Sequence, residues 1–75
     1  MPNQTSIIES LNSDAQENKK SLKQLIELYE TGALHTQSKS GNEPWIDTTE
    51  SNLVSSRIEL EMVEVQLARY ADLLK

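Results

Sequence analysis

The sequence predicts a mainly α fold, two long amphipathic helices packed as an antiparallel hairpin, with a connector that is either a short β-hairpin or a solvated loop. Three observations predict it. Apolar residues recur at spacings of three, four and seven through two long segments. The two glycines, Gly32 and Gly41, both fall between those segments, and so does Pro44. Each segment begins near a Ser/Thr/Asp residue followed three positions later by Glu, the spacing of a helix start. With 75 residues and no recurring unit, the chain reads as one small domain over 1–75.

The first helix is expected over about 5–31. Ser6 and Glu9 have capping-box spacing, so Ser6 would accept from a free backbone N–H while Glu9 reaches back. Ser13-Asp14-Ala15-Gln16 offers a second start signal, leaving the residues before Asn12 as a separate turn or a frayed end. Ile8, Leu11, Ala15, Leu22, Leu25 and Tyr29 fall on one stripe of a helical wheel. Asn18 lies within that stripe, either fixing register at a cost in stability or facing solvent. Glu17, Lys20, Lys23 and Glu27 make the opposite, solvated side. Gly32 supplies the stop, because glycine accepts the left-handed conformation that follows a helix C-terminus.

The connector is expected over 32–46. Ser38-Lys39-Ser40-Gly41-Asn42 is turn chemistry. Leu34, Thr36 and Ser38 could pair with the segment at Trp45, and Pro44, lacking a donor, would put such a strand at an edge. A solvated loop fits the same residues.

The second helix is expected over about 47–74, roughly 40 Å at 1.5 Å per residue. Asp47 and Glu50 repeat the capping-box spacing, with Thr48 and Thr49 as alternative caps. Leu53, Leu60, Val63, Leu67, Tyr70 and Leu74 form one stripe, expected to pack with Ile8, Leu11, Leu22, Leu25 and Tyr29 as the intramolecular core. Val54, Ile58, Met62, Val65 and Leu73 lie on nearly the opposite side. Arg57, Glu61 and Glu64 separate the two stripes on one flank, Glu59 and Gln66 on the other.

One partner helix covers one stripe, so the second has no intramolecular mate. Monomers seldom expose so contiguous an apolar strip. Either the connector folds over it with Leu34, Trp45 and Ile46, or it meets another molecule. Val54, Ile58, Met62, Val65 and Leu73, with Trp45, are therefore the candidate interaction surface. Trp45 has a second reading, as a plug over the end of the hairpin.

Composition narrows the function. The net charge of −5 argues against binding nucleic acid, since no basic face offsets phosphate repulsion. No stretch approaches the roughly 20 apolar residues of a membrane span, and no charged-then-apolar leader opens the sequence. The expectation is a soluble protein of the cytoplasm, or of a virion assembled there. With no cysteine, disulfides and zinc–thiolate sites are excluded, and a chain this small then gains stability most readily by association. His35 has Thr36, Ser38 and Ser40 nearby but no oriented carboxylate, so it reads as a solvated side chain. Glu59, Glu61 and Glu64 lack the Glu-x-x-His pairing of carboxylate metal centres. No catalytic residue, metal, cofactor, small-molecule substrate or membrane contact is expected; the expected partners are proteins.

Three stretches carry a resemblance. They are Leu25-Ile26-Glu27-Leu28-Tyr29-Glu30-Thr31-Gly32-Ala33-Leu34, Asp47-Thr48-Thr49-Glu50-Ser51-Asn52-Leu53 and Ile58-Glu59-Leu60-Glu61. In this order the chain resembles the W-type (gpW-like) head–tail joining proteins of tailed phages, over about half its length. That resemblance implies a helix–hairpin–helix fold and a non-enzymatic connector, several copies forming a ring between portal and tail proteins. The chain departs from the family pattern in its polar connector, in Pro44 and in its acidity. A reading from another class is a small helical-hairpin chaperone, similar to the co-chaperones of type III secretion needle subunits, which keep an apolar face for a self-assembling client.

Overall fold

A computed structural model describes residues 4–75. The elements run α1 (Gln4–Glu30), β1 (Gln37–Ser38), β2 (Ile46–Asp47) and α2 (Thr49–Leu73). The helices pack antiparallel along their length, and the strands form a small sheet between them in sequence. Helix bounds fall within two residues of those expected, the usual uncertainty of helix ends.

Of the two expected capping boxes, neither forms as anticipated. Ser6 lies inside α1, which already runs helically from Gln4 and passes through Asn12 without a break. At α2 the cap position belongs to Thr48, whose side chain makes no capping bond to the helix. Instead Asp47, one residue earlier, accepts from the Thr49 N–H at 2.9 Å. The carboxylate thus meets the partial positive charge of a helix start from outside the helix, with Glu50 in the first turn.

α1 stops as the sequence implies. The Thr31 N–H and hydroxyl both donate to the Glu27 carbonyl, each at 2.9 Å. Gly32 then takes φ +78°, and its N–H donates to the Tyr29 carbonyl. The connector is a β-hairpin: Gln37 pairs with Asp47 and Ser38 with Ile46. At its tip the Glu43 N–H donates to the Ser40 carbonyl, closing a turn in which Gly41 takes φ +58°.

The core is small. Among the described residues Ala15, Leu22, Val63 and Leu67 are the buried apolar ones, with Leu60 and Tyr70 packed against them. Ser56 is also buried, in line with Leu53, Leu60 and Val63. Leu25, Tyr29, Leu53 and Leu74 are half-buried at the edges of the seam, and Ile8 is half-buried beyond it, near the start of α1. Asn18, whose place in the stripe left its role open, faces solvent.

Leu11 departs from the expected core, remaining 45% exposed. The reason is helix length. Arg57 reaches Glu30 at 2.9 Å across the hairpin. Counting outward from that pair at equal rise puts Leu73, the last residue of α2, about level with Asp14. Leu11 and Ile7, also exposed, lie past α2's last turn. The molecule is accordingly elongated, 54 × 27 × 16 Å with a radius of gyration of 16.9 Å, where a compact chain of this length would have about 11 Å.

Candidate interaction surface

α2 is apolar on two opposite sides, and α1 covers one. Val54, Ile58, Met62, Val65 and Leu73 are all exposed, Met62 to 61% and Leu73 to 64%. From Val54 to Leu73 the strip extends about 28 Å along the helix. Met62 and Val65, with Gln66 and Arg69, line a shallow depression in its middle. Glu59, Glu61 and Glu64 stand exposed on its flanks. The strip is a solvent-facing apolar band with acidic margins.

The connector does not cover it. Trp45 is 62% exposed and Ile46 57%. Trp45 is neither a plug over the hairpin nor a lid on α2: its ring lies beneath the Lys39 ammonium, 5.7 Å from the ring centroid. That spacing allows a cation–π attraction of about 0.5–1 kcal/mol at an exposed site. Leu34 is half-buried where the chain leaves α1, its N–H donating to the Leu28 carbonyl.

What holds the connector away from the strip is a polar clasp centred on Thr36. The Thr36 N–H donates to the Thr49 hydroxyl at 2.9 Å, and that hydroxyl donates back to the Thr36 carbonyl at 3.3 Å. The Thr48 N–H also donates to the Thr36 carbonyl, at 2.9 Å. The Thr36 hydroxyl accepts from the Thr48 hydroxyl at 2.9 Å and from the Asn52 side-chain amide at 2.7 Å. Half-buried hydroxyls and an amide thereby satisfy the backbone of a residue that neither helix nor sheet provides for.

Asp47 sits at the edge of this clasp. Thr49, through its side chain and then its backbone N–H, holds the Asp47 carboxyl below its ordinary 3.8, and His35 adds a smaller effect in the same direction. His35 itself is exposed. Among the described residues no group of His, Cys, Asp and Glu is placed to hold a metal ion. No helix among them is long and apolar enough to cross a membrane.

Sequence reasoning missed two features. Ser56 could have been found, because it stands three after Leu53 and four before Leu60, on the packed stripe. The Thr36 clasp carries no such periodic signal. The fold places this chain in the class of two-helix hairpins closed by a short β-hairpin. No protein-family model, curated protein or solved structure matches the chain.

Proposed function

We propose that this protein is a non-enzymatic structural adaptor that acts by association through the outward face of α2. One observation carries the reading: five large apolar residues line that face in solvent, while among the described residues the buried core comprises four apolar residues, one of them Ala15. A core of this size leaves a 75-residue chain marginally stable, and covering the second stripe supplies what is missing. The partners are further copies of the chain, portal or tail proteins, or both. In the setting that the W-type resemblance implies, the assembly is a ring at a phage head–tail junction.

Sedimentation velocity of the purified chain over a range of concentrations tests this. Association into a multi-copy species, lost in Val54→Glu and Met62→Glu variants that keep their helical circular dichroism, is expected. A wild-type chain that stays monomeric, alone and with co-expressed portal or tail proteins, would overturn it. A small one-to-one complex with an aggregation-prone client would instead support the chaperone reading.

A further inference from the structure

We infer that the outward face of α2 is occupied by the lysine-bearing face of α1 from a second copy, so that copies join head to tail. This rests on the adaptor reading above and names the surface that completes it.

Three of the seven Lys and Arg residues, Lys19, Lys20 and Lys23, lie within five positions of α1. With Gln16, Gln24 and Glu27 they line one shallow depression on α1, in which Lys19 is half-buried beside the packed stripe and the other five residues are exposed. Of the other four cations, Arg57 is paired with Glu30, Lys75 with Asp72 and Lys39 lies over Trp45, while Arg69 lines the depression on the α2 strip itself. Neither ion pair among the described residues involves the three lysines.

Self-pairing of the α2 face is electrostatically poor in both directions. An antiparallel pair sets each flank against itself, so Glu61 and Glu64 meet Glu61 and Glu64. A parallel pair sets opposite flanks together, so Glu61 and Glu64 meet Glu59. Of the two cations near the strip, Arg57 is drawn to Glu30, and Arg69, beside Met62 and Val65, is one positive charge against three glutamates. Like charges facing across a contact disfavour it, so the net negative balance of the α2 face works against pairing with its own image.

The lysine face of α1 has the complementary charge at a matching scale. Lys19 to Lys23 covers about 6 Å of helix axis, and Glu59 to Glu64 about 7.5 Å. Lysine stems can lie along Ile58, Met62 and Val65 while their ammonium groups reach the glutamates at the margins. Such a contact joins two different surfaces, so each copy retains one of each. Repetition closes into a ring or continues as a filament, according to the rotation between copies.

Charge reversal tests the contact in the full-length chain by sedimentation velocity. The doubly substituted Lys20→Glu/Lys23→Glu chain should associate at least tenfold more weakly than wild type, and so should Glu61→Lys/Glu64→Lys. A chain carrying all four substitutions should regain association, which separates charge pairing from damage to the fold. Wild-type association should also weaken as salt rises. If wild type associates but the lysine variant associates equally well, the head-to-tail contact is wrong and the adaptor reading stands. If wild type does not associate with itself at any concentration, the contact is likewise wrong, and co-expression with portal or tail proteins decides the adaptor reading separately.

Discussion

The side-chain amide of Asn52 donates to the hydroxyl of Thr36 across 2.7 Å, bridging sixteen residues of sequence. It is the shortest bond of the clasp and ties the first turns of α2 to the segment that leads from α1 into β1. Removing it leaves the half-buried Thr36 hydroxyl with one donor fewer. Asn52→Ala should cost about 1 kcal/mol, the usual net worth of such a bond. Hydrogen exchange offers the sharper measurement: the Thr36 and Thr48 amides should exchange faster, while amides in mid-α1 change less. Equal acceleration everywhere would mean that the clasp is no separate unit.

The core prediction separates residues that periodicity alone treats alike. Leu22→Ala removes a side chain only 6% exposed and should cost about 2–4 kcal/mol. Leu11→Ala, on the same stripe but past the last turn of α2, should cost under about 1 kcal/mol. Urea denaturation of both variants checks the ranking; similar losses would place Leu11 inside the hairpin seam after all.

Much of the fold was legible because helical periodicity and glycine stops are local signals. Gly32, Gly41 and the two stripes of α2 set the element order and left the right face of α2 without a mate. The Leu11 assignment failed because periodicity tells which side of a helix a residue is on, not how far the opposing helix reaches. The clasp was illegible for a different reason. Thr and Asn can bond to many groups, and contacts at separations of 12 to 16 leave no pattern in the sequence. Of the candidate surface, the exposed positions could be read from the wheel, but the fate of Trp45 depended on the hairpin's direction.

Gly32 offers a test of backbone conformation alone. A Cβ added there would meet nothing within 4 Å, yet φ is +78°. Gly32→Ala should therefore destabilise by about 1 kcal/mol through conformation and not through a clash. Thermal denaturation reads the loss. Gly32→Asn should recover part of it, since Asn tolerates the left-handed region better.

The pH prediction follows from Asp47. Its folded-state carboxyl titrates below the ordinary 3.8, so it binds a proton less readily than in the unfolded chain. The unfolded state then takes up more protons as pH falls. Asp47 therefore adds stability above the unfolded value, and this is lost as pH drops through the lower folded value. Asp47→Ala should lower the melting temperature at pH 6 more than at pH 2.5. An equal loss at both would show that the carboxylate charge contributes nothing.

The two apolar stripes of α2 raise a question of roll. Turned half a revolution about its own axis, the helix would offer Val54, Ile58, Met62 and Val65 to α1 and send Leu60, Val63 and Leu67 to solvent. Hydrophobic burial alone distinguishes these two rotations poorly. Thr48, Thr49 and Asn52 sit at the start of α2 on its packed side, and their bonds to Thr36 can form in only one of them. A handful of hydroxyl and amide bonds thus acts as a key: it selects which greasy side the molecule keeps and which it shows.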